Sequence, residues 1–120
     1  MRMTVSEKYQ TSSDNGSGKP ANIVLVSFDG DEMLSDDVEK EMRKGHLCPA
    51  DKDTLSSFND EHPDTCTDRL IVGLGTVEKF PTGHHVVPCL GTGSQRRLYA
   101  EFRRRAWPAG TYFAAVPLDD

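Results

Sequence analysis

The stretch Leu70-Ile-Val-Gly-Leu-Gly-Thr-Val77 decides how this chain is read. Val and Ile suit a pleated, partly buried surface. The apolar run is too short for a helix that also contains Gly73 and Gly75. It therefore reads as the central strand of a sheet, its glycines marking a bulge or a close approach of another backbone. Downstream, His85-Val-Val-Pro-Cys-Leu90, Arg97-Leu-Tyr-Ala-Glu-Phe102 and Thr111-Tyr-Phe-Ala-Ala-Val116 repeat the strand pattern. Pro88 has no N–H, which predicts an edge position or a bulge. Pro81-Thr-Gly83, Gly91-Thr-Gly93 and Pro108-Ala-Gly110 supply turn chemistry between them. Strands separated by short turns predict a meander.

Upstream, Asn22-Ile-Val-Leu-Val-Ser-Phe28 is a short β-branched run and reads as a buried strand. A helix is expected over 35–44. Ser35 is placed to cap it, Asp36 and Asp37 suit the positive end of its dipole, and Gly45 stops it. Val38 and Met42, four apart, give it a narrow apolar stripe. A second short helix is expected after Asp51, whose carboxylate suits an N-cap, with Leu55 and Phe58 as its buried pair. Pro63 ends it. Residues 1–20 are polar and rich in Ser, Gly and Asp, a composition that predicts a disordered tail. The folded part is then one domain over 21–118.

The 120 residues carry a formal net charge of −5, which disfavours polyanions such as nucleic acid as partners. The charge is uneven: residues 1–68 carry −8 and residues 69–120 carry +3. The asymmetry permits a weakly basic face on the late strands, suited to an acidic protein or a small ligand. Three cysteines, widely spaced, fit reduced thiols better than a disulfide framework. No apolar leader and no stretch of membrane-spanning length is present in the sequence, so the expectation is a soluble, cytoplasmic protein without a membrane partner.

The motifs in order are Leu47-Cys-Pro-Ala50 with Leu55, His62-Pro63, Ile71-Val-Gly-Leu-Gly75, Val87-Pro-Cys-Leu90, Trp107 and Phe113-Ala-Ala-Val116. This succession resembles a family of small uncharacterised bacterial α+β proteins. Their pattern runs Leu-Arg-Pro-Ala-Thr, Glu-Leu-Leu, Tyr-Pro, Ile-Val-Ala-Leu-Gly-Ser, Val-Pro-x-Leu, a Trp and a terminal Phe-Leu-Ala-Val. The resemblance covers about residues 22–117 and implies a fold rather than an activity. Cys48 stands where that family has Arg, Cys66 and Cys89 replace its polar and aromatic residues, and Arg103-Arg-Arg105 replaces an acidic, Gly-rich turn. A looser similarity to compact C-type-lectin-like domains implies that the late strands and loops present a ligand.

Two constellations carry chemical possibilities. The first is the late basic and aromatic group, Arg96, Tyr99, Arg103, Arg105 and Trp107, an expected ligand or partner face. The second is the pairing of each cysteine with a histidine: His46 with Cys48, His62 with Cys66, His85 with Cys89. Thiolate and imidazole are good zinc ligands, so four of these six residues form an alternative metal set, provided the fold gathers them. A single low-pKa thiol with a histidine base is a further alternative, a small enzyme with a reactive cysteine. No nucleophile elbow, dinucleotide loop or zincin motif is present. The expected protein is therefore an α+β domain of two short helices on one face of a mostly antiparallel sheet of four or five strands. Its expected role is a non-enzymatic interaction or ligand-binding module that presents its late hairpin and needs no cofactor.

Overall fold

A computed structural model describes residues 3–11, 21–29, 32–94, 96–103 and 106–118. They form β1 (Met3–Thr11), β2 (Ala21–Phe28), β3 (Glu32–Leu34), α1 (Ser35–Lys44), β4 (Leu47–Pro49), α2 (Lys52–Glu61), β5 (Ile71–Val72), β6 (Glu78–Lys79), β7 (His85–Leu90), β8 (Leu98–Phe102), β9 (Ala106–Pro108) and β10 (Tyr112–Pro117). The class is α+β. Eight strands make one sheet in the order β1-β2-β10-β5-β7-β6, with β4 beside β10 and β8 beside β7, while β3 and β9 form a separate ribbon. The β10–β5 pairing is parallel and the other pairings are antiparallel. The expected sheet of four or five strands is corrected to one of eight, with ten strands in all among the described residues. The three-residue pieces escaped the sequence pattern because they are too short to show a period.

The sheet is buried on both faces, and β2 shows why. Val24, Val26 and Phe28 pack into one core with Val38 and Met42 of α1. Ile23 and Leu25 pack into a second with Leu55 and Phe58 of α2. The two helices therefore lie on opposite faces, which corrects the expectation that they share one. An uninterrupted apolar run such as Ile23–Val26 is the mark of a strand covered on both sides.

The order of strands also departs from a meander. β10, the last strand, inserts between β2 and β5. The expected centre over 70–77 survives as the two-residue β5, interior to the sheet between β10 and β7. Its glycines explain the brevity. A Cβ on Gly75 would lie 2.5 Å from the Pro49 carbonyl oxygen, and the Gly75 N–H donates to the Ala50 carbonyl at 2.9 Å. The chain leaves the ladder there to pass against another backbone, the second of the two roles expected for these glycines.

Pro88 is not on an edge strand, since β7 has neighbours on both sides. Its carbonyl accepts from the Gly73 N–H at 3.0 Å, so its missing N–H faces the gap between the ends of β5 and β6. No ladder bond is lost there.

Residues 3–11 pair with β2 along most of their length, with a register shift between Val5 and Lys8. The expectation of disorder over 1–20 is corrected for these residues; 12–20 lie outside the described residues. Both helices follow their end signals. The Asp51 carboxylate accepts from the Thr54 N–H at 2.8 Å, and the Gly45 N–H closes α1 onto the Glu41 and Met42 carbonyls. One cap is corrected: Leu34 holds the N-cap position of α1, and Ser35 lies inside the helix, buried. Among the described residues no helix is long and apolar enough to cross a membrane.

Candidate functional site

The late hairpin, β7 with β8, is where the expected face is found, but its members separate. Arg96 is 7 % exposed and is a structural clamp. Its Nε donates to the Asn59 side chain at 2.7 Å, and its terminal nitrogens donate to the Thr65 and His62 carbonyls. It also lies over the Phe58 ring, 5.4 Å from the centroid. Burial pulls its guanidinium down from the ordinary value, with Cys66 and Asp64 opposing. Trp107 is fully buried in the core on the α1 side, its indole N–H donating to the Ser35 hydroxyl at 2.8 Å. Neither residue is on a binding surface. A Trp among arginines reads as a platform in sequence, but β9 turns it inward by pairing Trp107 with Met33 of β3. Arg105 lies outside the described residues, as does Arg104.

Tyr99 of β8 remains at the surface, and Arg103, just past the end of β8, is partly exposed. Arg103 reaches Asp36 and Glu39 of α1 at 3.1 and 3.4 Å. Tyr99 is exposed, and so is Phe102, at 55 %, its ring tilted against that of His84 with centroids 5.2 Å apart. The residues that sequence reasoning missed are the alternate ones. Arg103 N–H bonds the His85 carbonyl and Gly91 N–H bonds that of Arg97, so the odd-numbered residues of this segment turn their backbone groups towards β7. Leu98, Ala100 and Phe102 turn theirs outward. No strand pairs with that outer side among the described residues. The Phe102 N–H is covered by the carboxylate of its neighbour Glu101 at 3.1 Å. A strand pattern gives alternation but not its phase against a neighbour, so the outward set was not legible.

Between β8 and the start of α2 lies a groove floored by Val86, Pro88 and Ala100 and rimmed by Lys52 and Glu78. Its volume of about 140 Å³ is small beside the roughly 300–1,000 Å³ of small-molecule sites. A second, open hollow near Gly45 brings Lys8 and His46 to its wall, with no carboxylate among the described lining residues.

The histidines and cysteines do not assemble. Among the described residues no three His, Cys, Asp or Glu side chains converge as a metal site. His62 bonds the Gln10 carbonyl at 2.8 Å and packs among Tyr9 and Phe58. Cys89 is fully buried, while His85, four residues before it, is exposed. The Cys48 thiol donates to the Val116 carbonyl at 3.5 Å. Burial, then the Asp51 charge, push its pKa up, and the bond to Val116 partly offsets them. Burial of this kind works against thiolate formation, the opposite of what a nucleophile needs. Cys66 is half-buried and takes a left-handed backbone conformation, φ 55°.

These features define an α+β sheet protein in which, among the described residues, the β8 edge is regular and open beside exposed aromatic side chains. No protein-family model, curated protein or solved structure matches the chain.

Proposed function

We propose that this protein is a non-enzymatic binding module that receives an extended, acidic segment of a partner protein as an added strand along β8. The observation that carries the reading is the outer edge of β8, where Leu98 and Ala100 offer backbone donors and acceptors beside exposed Tyr99 and Phe102. Backbone bonds supply affinity in strand addition, and alternate side chains supply selectivity. The exposed Arg97 and the net charge of +3 over residues 69–120 favour an acidic segment. The small volume of the adjacent groove disfavours a metabolite at that groove.

The test is fluorescence anisotropy of a labelled Glu-Val-Glu-Val-Glu-Val-Glu peptide. Saturable binding that is lost in Ala100→Pro is expected, because proline removes the central outward N–H and leaves the β7 ladder intact. Absence of binding, or binding that Ala100→Pro leaves unchanged, refutes the reading.

A further inference from the structure

We propose that the strand received at this edge is β8 of a second copy of this chain, paired antiparallel about a two-fold axis at Ala100. The inference rests on the reading of β8 as a strand-accepting edge; the occupant it names is β8 itself, and the acidic groups it meets are Asp36 and Glu39 of α1 rather than the added strand.

The register follows from which groups point outward. Ala100 pairs with Ala100 of the other copy, and Leu98 pairs with Phe102. These are hydrogen-bonded pairs, because their N–H and C=O groups face away from β7. The intervening residues form the closer, non-hydrogen-bonded pairs: Tyr99 opposite Glu101, and Arg97 opposite Arg103. Leu98, Ala100 and Phe102 thus meet as an apolar row on the α2 face, where Leu98 already packs against the core. Tyr99 can donate its hydroxyl to Glu101. That draws the carboxylate off the Phe102 N–H, which is then free for the Leu98 carbonyl.

The pair that decides the matter is Arg97 opposite Arg103. Two arginines in register repel. Here Arg103 is held by two carboxylates, Asp36 at 3.1 Å and Glu39 at 3.4 Å, so the group carries a net negative charge. The Asp36 side chain is 91 % exposed despite this contact. A surface hollow lined by Leu34, Asp36, Asp37 and Arg103 opens on the same side. A two-fold axis normal to the sheet keeps like faces together, so Arg97 of one copy arrives at this acidic hollow of the other. The contact occurs twice by symmetry. It joins the basic half of one chain to the acidic half of its partner.

The other long edge does not offer this. β1 is broken between Val5 and Lys8, and the Gln10 carbonyl is occupied by His62. Breaks and charges of that kind guard an edge. β8 is unbroken, and a closed two-fold pairing removes it from further association.

Sedimentation of the full chain from about 1 μM to about 1 mM, a range that brackets weak and moderate dimers, tests the proposal. The mass should rise from 13.3 kDa to twice that value. Ala100→Pro should hold the chain monomeric. Arg97→Glu, an exposed change that leaves the fold intact, should weaken the dimer about tenfold or more. Pairing it with Asp36→Lys should restore association. A single 13.3 kDa species throughout, or a dimer indifferent to both Ala100→Pro and Arg97→Glu, overturns it. A monomeric chain that still binds the acidic peptide along β8 sinks self-pairing alone. A monomeric chain that binds no peptide sinks the edge reading as well.

Discussion

The indole N–H of Trp107 donates to the hydroxyl of Ser35 at 2.8 Å, with both side chains inside the core. This bond ties β9 to the first residue of α1 and decides that the one Trp of the chain is structural. Ser35→Ala removes the acceptor and is expected to lower stability by about 1–3 kcal/mol, the cost of stranding a buried donor. In a Trp107→Phe background the same change should cost less. Urea unfolding of the four chains measures that coupling.

Arg96 anchors the 62–67 segment through the His62 and Thr65 carbonyls and through Asn59. Its planar fork serves three acceptors at once, which a lysine ammonium on a flexible stem does not match. Arg96→Lys should cost about 1.5–3 kcal/mol, the scale of charge-assisted bonds. Thermal unfolding checks this. A change within error of wild type would contradict the clamp.

Gly75 and Gly91 make a matched pair. A Cβ on Gly75 meets the Pro49 and Ala50 carbonyl oxygens at 2.5 and 2.6 Å, whereas a Cβ on Gly91 meets only a Tyr99 ring carbon at 3.5 Å. Gly75→Ala should destabilise by about 1–3 kcal/mol, as overpacking against backbone does. Gly91→Ala should stay within about 0.5 kcal/mol of wild type. Equal effects would remove the close approach as the reason for Gly75.

Burial raises the Cys48 pKa in the folded chain, with the Asp51 charge second. The folded state then holds the thiol proton more tightly than the unfolded state. That contribution is full below the unfolded thiol value and is lost as pH rises through the folded one. The urea midpoint of wild type should therefore fall between about pH 7 and about pH 10 by more than that of Cys48→Ala. Parallel declines would show that Cys48 is not linked to folding.

The sequence carried the long elements and their ends. Ile23–Phe28, the Gly45 stop, the Asp51 cap and the strand over 85–90 all depend on local pattern, and each is found in the structure. The relations between elements were not legible. Whether Val38 and Leu55 face the same side of the sheet depends on chain crossings that no local period encodes. The insertion of β10 between β2 and β5 is likewise a tertiary choice. At the candidate site Tyr99 was legible as a residue of a late strand and Arg103 as part of the basic group that follows it. Arg96 and Trp107 were not, because their burial depends on Asn59 and Ser35, distant in sequence. The outward groups of Leu98 and Ala100 emerge only once the β7 register is known.

The central claim is that β8 pairs through its outer edge, and amide hydrogen exchange at Leu98 and Ala100 tests it most directly. Their N–H groups point away from β7, so they should exchange rapidly in dilute protein. Raising the protein concentration should slow both about tenfold or more, and so should saturating Glu-Val-Glu-Val-Glu-Val-Glu peptide, while Tyr99, already bonded within the hairpin, changes little. Exchange at Leu98 and Ala100 that stays fast under both conditions would contradict the account.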